Sequence, residues 1–137
     1  MNQKIIKLRL INSSDHKFLY QLLKNRSPKV NISHKFLPRY SEHVKFVKSK
    51  PYTKWYVIFC GNTKCGSIYL SKQNEIAMDL QKRYNTKIIK NETLKIIIEK
   101  NPRNRYLANI NPKNKEHIKF FKNNNFKLVQ YTYEFIN

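Results

Sequence analysis

Residues 75–80, Glu-Ile-Ala-Met-Asp-Leu, hold two carboxylates at a spacing that a strand would bring to one side. In an extended chain Glu75, Ala77 and Asp79 share one face, and Ile76, Met78 and Leu80 take the opposite, core-directed one. A carboxylate beside a small alanine leaves room for a water or a substrate group. That is a setting in which Asp or Glu can accept a proton. Directly downstream, Lys82, Arg83, Lys87 and Lys90 place four cations in one short stretch, and Lys and Arg are the usual partners of phosphate. Cys60 and Cys65 bracket Gly61-Asn62-Thr63-Lys64, which reads as the turn of a hairpin. They are too few for a disulfide scaffold. A structural zinc would need four converging ligands, and the four histidines are scattered. Two reduced thiols, no metal and a cytoplasmic protein are the expectation.

The elements that must position these groups are legible from periodicity. Ile6, Leu8 and Leu10 alternate with basic residues as a first strand. Ser13, Ser14 and Asp15 offer N-cap oxygens to a helix burying Phe18, Leu19, Leu22 and Leu23. Residues 29–39 read as a loop, and a second helix begins near Ser41 and stops before Pro51. Strands follow at Trp55–Cys60, Cys65–Leu70 and Glu75–Leu80. The loop Gln81–Lys90 then leads into a helix starting near Ile89. Tyr106–Ile110 is a strand, Lys113–Asn124 a helix and Phe126–Ile136 a final strand, with Tyr131, Tyr133 and Phe135 in the sheet core. The order β-α-α-β-β-β-α-β-α-β predicts one α/β (α+β) domain over residues 1–137, with a mixed central sheet and helices on both faces.

Composition sets the outer limits. A chain of 137 residues is the usual size of one domain and buries roughly 70% of its unfolded surface. Its 40% hydrophobic content argues against disorder. No stretch approaches the ~20 apolar residues of a membrane helix. The N-terminus alternates apolar and basic residues rather than forming a signal-peptide core. Lys and Arg number 28 against 8 Asp and Glu, a formal charge of +20. The charge points to an anionic partner, or to nothing beyond a Lys-, Asn- and Ile-rich coding bias, and it implies salt-reversible retention by polyanions.

The run Tyr106-Leu107-Ala108-Asn109-Ile110-Asn111-Pro112-Lys113-Asn114, followed by Ile118-Lys119-Phe120-Phe121 and Asn123-Asn124-Asn125-Phe126, resembles the GCN5-related N-acetyltransferases. It is similar to that family's strand, N-P-x-N helix start and F-(Y/F)-x-x-x-G-F helix end, with Asn125 in place of Gly. Trp55–Ile58, Gly66–Leu70 and Asn74-Glu75-Ile76 fit the family's central strands. The resemblance implies an acetyl-CoA cosubstrate held between two splayed strands, its pantetheine arm on backbone groups at Met78 and Leu80. It puts the pyrophosphate on residues 82–90, where a helix N-terminus gathers free amides. That loop holds Lys82, Arg83, Tyr84, Asn85, Thr86, Lys87, Ile88 and Lys90, and lacks the family's glycines. The same resemblance makes Asn109, Asn114 and Phe121 cofactor contacts, with Phe121 standing where many relatives carry an acidic Tyr. Glu75 becomes the general base, Asp79 the second candidate, and His34 and His43 acceptor-binding residues.

The function implied is transfer of acetyl from acetyl-CoA to a primary amine: an amino sugar nucleotide, a protein N-terminus or another small amine, with the positive charge favouring an anionic acceptor. A catalytically degenerate binding module is the alternative, with a basic nucleic-acid-binding protein behind it. The expected state is a monomer or homodimer without a membrane.

Overall fold

A computed structural model of the chain describes residues 5–26 and 36–137. Alternation at the N-terminus forms β1 (Ile6–Leu10). Asn12 and Asp15 then make a reciprocal capping box around a single 3-10 turn, Ser13–Asp15, which feeds α1 (His16–Lys24). After α2 (Tyr40–Lys48) the β-branched and aromatic run becomes β2 (Lys54–Cys60), joined to β3 (Thr63–Leu70) by a turn at Gly61-Asn62. Gly61 has φ 64°, a conformation that glycine adopts without strain. The turn is therefore tighter than the expected four residues. Next come β4 (Ile76–Leu80), α3 (Lys87–Lys100) and α4 (Lys115–Asn123).

The four strands lie in the order β1-β2-β3-β4, each pair antiparallel. Cys65 is the extra residue of a β-bulge, because Ile58 opposes Gly66 while Phe59 opposes Lys64. One face of the sheet supplies Leu8, Ile58, Ile68 and Ile76 to a core completed by α3 and α4 through Ile97 and Phe120. Each of these buried aliphatic side chains contributes about 1.5–3 kcal/mol relative to exposure. α1 and α2 stand over the opposite face, where Leu19, Leu22 and Val47 are buried. Helices on both faces of a central sheet are thus present.

The last two expected strands are corrected. Residues 106–110 make a single parallel bridge, Leu107 to Glu75, and then leave β4. Among the described residues that bridge is the one parallel contact, and it stands beside a four-stranded sheet whose pairs are all antiparallel. Among the described residues, 126–136 join no ladder, and Tyr131, Tyr133 and Phe135 are exposed rather than in the core. Their alternation specifies one apolar face, and a periodic pattern does not say which backbone edge will receive it. Cys60 and Cys65 are buried free thiols, and burial pushes the Cys65 thiol up to about 12, away from thiolate chemistry.

α4 ends in a Schellman turn. Asn125 takes a left-handed φ of 69°, Phe126 N–H donates to Phe121 C=O and Asn125 N–H to Lys122 C=O, both near 3 Å. The Phe121 and Phe126 rings close the motif with centroids 4.8 Å apart. Asn125 therefore does the work of the pattern's glycine.

Candidate active site

The site grows from the two edges and one face of β4. Ala77 and Asp79 oppose Tyr69 and Ser67 of β3, while Ile76 N–H turns the other way and donates to Leu107 C=O at 2.7 Å. The two-residue period sends the backbone groups of Met78 and Leu80 to that same outer edge. Beyond the single bridge at Glu75 no described strand pairs with them. The result is a slot with free amides and carbonyls on one wall, able to take an amide-bearing chain by strand-like pairing.

A cavity of about 290 Å³ opens on the α1–α2 face of the sheet, lined by Leu22, Trp55, Tyr69, Ala77, Met78 and Asp79 among others. Its walls are mostly aromatic and aliphatic, with Arg26, Glu42, His43 and Ser67 as further polar groups. Tyr52 and Tyr69 stack 3.6 Å apart, and Trp55 packs edge-on to both. Trp55 Nε1 is buried without a hydrogen-bond partner among the described residues. Asp79 reaches this cavity from β4, its Oδ2 3.7 Å from Arg26 Nε. Burial raises the Asp79 carboxyl to about 6, against the pull of Arg26. A carboxylate that ionises just below neutrality is suited to general-base work.

Glu75 is placed differently. One carboxylate oxygen accepts from Ser71 Oγ at 2.8 Å and the other from Asn109 Nδ2. With both oxygens engaged at the Leu107 bridge, Glu75 braces the foot of the slot and does not line the cavity. Asn109 thus acts on the slot through Glu75.

The loop between β4 and α3 is built differently from its sequence pattern. Gln81 opens a 3-10 turn, Lys82–Tyr84, and α3 begins at Lys87, two residues earlier than expected. Thr86 caps α3, its Oγ1 accepting from Ile89 N–H at 3.3 Å. The Lys87 and Ile88 amides are left at the open first turn. Ile88 is 78% exposed and Asn85 is exposed, while Lys82, Arg83 and Lys87 surround that turn from solvent. Tyr84 is buried as a core residue under the Arg83 guanidinium, 5.0 Å from its ring centroid. Lys90 is buried too: its ammonium lies 4.7 Å from the Phe120 ring centroid, and burial lowers its pKa. It faces the interior, so the loop presents three cations to solvent rather than four.

Asn114 caps α4, accepting from His117 N–H at 3.2 Å. Phe121 is buried in an aromatic cluster with His117, Phe120 and Phe126, and has no proton to give. His43 is buried at the cavity wall, its ring 5.5 Å from that of Tyr20. His34 lies outside the described residues. Among the described residues no group of three or more His, Cys, Asp or Glu side chains converges to hold a metal.

No family model and no curated protein sequence matches the chain. Solved structures do. A domain from Methanocaldococcus jannaschii DSM 2661 superposes with a TM-score of 0.77 at 22% identity, over 96% of this chain and 94% of that one. The Salmonella typhimurium acetyl transferase that modifies the N-terminal serine of ribosomal protein L7/L12 gives 0.71 at 19% identity, over 94% and 84%. Campylobacter jejuni N-acetyltransferase PseH, in complex with acetyl coenzyme A, gives 0.68 at 18% identity, over 93% and 92%. The chain has the GCN5-related N-acetyltransferase fold.

Within this acetyltransferase fold, several site residues had no signal in the linear sequence. Arg26 follows α1, Tyr52 precedes β2 and Tyr69 is the penultimate residue of β3, and only packing brings them to one cavity. His117 sits one turn before Phe121 on α4, rings 5.0 Å apart. Burial, with the charges of Lys90 and Arg26, lowers its pKa to about 4, so it is neutral at physiological pH. The Asn114-x-x-His117 spacing, a helix cap followed by a ring on the inner face, is the one sequence feature that marks it.

Proposed function

We propose that this protein is an acetyl-CoA-dependent N-acetyltransferase acting on a primary amine. One observation carries the reading: among the described residues no strand pairs with the β4 edge at Met78 and Leu80, while its face turns Asp79 into the cavity. Cofactor and acceptor would therefore meet at the same strand. The residues present fit the cofactor. Met78 and Leu80 backbone groups would hold its amide-bearing arm. Lys82, Arg83 and Lys87, with the first amides of α3, would hold its phosphates. When bound, acetyl-CoA supplies an activated acetyl thioester.

The acceptor enters the cavity, as a small amine or a peptide N-terminus, its ammonium directed to Asp79 and its body against Trp55 and Tyr69. Arg26 and His43 are placed to meet an anionic or polar group on it. Asp79 takes the ammonium proton, directly or through a water, because an amine with a pKa near 10 must lose a proton to become a nucleophile. Glu75 keeps the slot open at its foot through Ser71 and Asn109. The N-acetyltransferases that share this fold support the reaction class; the acceptor is read from the cavity alone.

The test is isothermal titration of the protein with acetyl-CoA, then thioester consumption with a panel of small amines and peptide N-termini. Saturable heat and amine-dependent turnover are expected. No heat and no thermal shift at millimolar ligand would overturn the proposal.

A further inference from the structure

We infer that the acceptor cavity is built for a free aromatic α-amino acid, held by its ammonium on Asp79, its carboxylate on Arg26 and its ring on the floor formed by Trp55 and Tyr69. That names the acceptor class of the reaction proposed above, and it rests on that reading.

The register of the sheet lays out the two ends of the ligand. Trp55 opposes Tyr69, which opposes Ala77, and in the next row Ser67 opposes Asp79. All five line the cavity, so an aromatic row and a row ending in a carboxylate lie side by side on one face. Two residues along a strand separate them by roughly 7 Å. Ala77, two residues before Asp79 on β4, keeps the floor low between them. An aromatic amino acid has a reach of that order, its ring one methylene from the carbon that bears the amine.

The aromatic end accepts a ring. Phe46, Tyr52, Trp55 and Tyr69 form a chain of edge and face contacts with centroids 3.6 to 6.3 Å apart. One more ring extends that chain by the same geometries. Size agrees. A cavity of ~150 Å³ holds one benzene, and this one, at about 290 Å³, adds room for a short polar head. A sugar would set its hydroxyls against Leu19, Leu22 and Phe46, apolar walls that cannot pair with them.

The polar end accepts two opposite charges at once. Arg26 Nε and Asp79 Oδ2 are 3.7 Å apart, within ion-pair range but longer than a hydrogen bond. An α-amino acid carries ammonium and carboxylate on one carbon, so a single molecule answers both partners with charge-assisted hydrogen bonds. Glu42, the other carboxylate lining the cavity among the described residues, is engaged by Arg39 at 3.0 Å. Asp79 is therefore the carboxylate placed to receive the ammonium. A simple amine answers only Asp79, and a peptide N-terminus replaces the carboxylate with a neutral amide. In the transfer the amine nitrogen forms the new C–N bond as the thioester C–S bond breaks. The ammonium yields one proton to Asp79 and one to the departing sulfur, leaving an N-acetyl amino acid and CoA thiol.

Trp55 is the one tryptophan of the chain and lines the cavity, so its fluorescence reports the ligand without acetyl-CoA. Titration with L-phenylalanine should change it saturably. Phenethylamine, which lacks the carboxylate, and L-phenylalaninamide, which masks it, should bind at least about tenfold more weakly, the scale of one charge-assisted hydrogen bond. Glucosamine and spermidine should not saturate. Arg26→Gln should weaken L-phenylalanine by about tenfold while phenethylamine binds as before, which shows the variant cavity intact. No saturable change with L-phenylalanine would overturn the inference, and titration with acetyl-CoA tells separately whether the reaction falls with it. Equal affinity for phenethylamine, or for a peptide beginning with phenylalanine, would also overturn it. Saturable L-phenylalanine binding by a protein that gives no heat with acetyl-CoA would sink the reaction and uphold the ligand.

Discussion

Arg26 Nε stands 3.7 Å from Asp79 Oδ2, tying the chain just beyond α1 to β4 across the cavity. The pair joins the helical layer that would receive an acceptor to the strand that would deliver the base. Because Arg26 only partly offsets the burial of Asp79, the carboxyl titrates near 6 instead of near 4.

The first expectation concerns that carboxylate. Asp79→Asn should lower turnover by about 10²–10⁴ with acetyl-CoA affinity little changed, since the cofactor contacts lie on the other edge of β4 and on the loop. The wild-type rate should climb with pH through about 6, as Asp79 loses its proton, and this limb should vanish in the variant. The raised folded-state pKa also means that Asp79 favours the folded state below pH 4 and loses that contribution as pH rises through 6. The melting temperature of Asp79→Asn at pH 8 should therefore equal or exceed wild type. Glu75→Gln, altering a brace rather than the base, should keep the pH profile. An Asp79→Asn enzyme with full turnover, or a Glu75→Gln enzyme without the limb near 6, would exchange the two roles.

A second expectation concerns the loop before α3. Lys82→Gln, Arg83→Gln and Lys87→Gln together should weaken acetyl-CoA binding and flatten its salt dependence, because exposed charges act through a screened field. Lys90→Met should leave binding unchanged, its ammonium being turned inward over Phe120. Thr86→Gly with Ile88→Gly should not tighten binding: Thr86 is the helix cap and Ile88 points to solvent. Titrations at low and moderate salt check all three.

Asp15 supplies a third. It is fully buried and accepts from Arg9 Nη1 and Nη2, from Lys64 Nζ at 2.7 Å and from Asn12 N–H at 2.8 Å. Burial alone would raise its pKa, but these donors win and lower it to about 2. Asp15→Ala should cost about 3 kcal/mol or more, the scale for stripping one partner from a buried ionic group. The folded pKa is depressed, so this stabilisation is complete above about pH 4 and is lost as pH falls toward 2. Acid melts of wild type and variant should converge in that window.

The fourth is Gly66. A Cβ there would lie 2.4 Å from Asp79 C=O and 2.7 Å from Leu80 Cδ2. Gly66→Ala must push β3 and β4 apart just where Asp79 is held. A loss of about 1–3 kcal/mol, typical of overpacking, is expected in chemical denaturation, together with reduced turnover.

Much of this molecule was written in its sequence. The Ile6-Leu8-Leu10 alternation, the β2–β3 hairpin, the 75–80 strand with its two carboxylates and the Asn that ends α4 all follow from local periodicity and turn chemistry. Those rules depend on neighbours a few residues away, so the chain carries them in linear form. Tertiary structure decided what those groups do. Glu75 and Asp79 look equivalent on one strand face, yet the Leu107 bridge captures the first while Arg26 and the cavity receive the second. Lys90 reads as a fourth loop cation, yet the helix starts two residues early and turns it inward. Phe126–Ile136 reads as a strand, yet among the described residues it joins no ladder. Partnership depends on which distant surfaces meet, and periodicity sets only which face a residue takes.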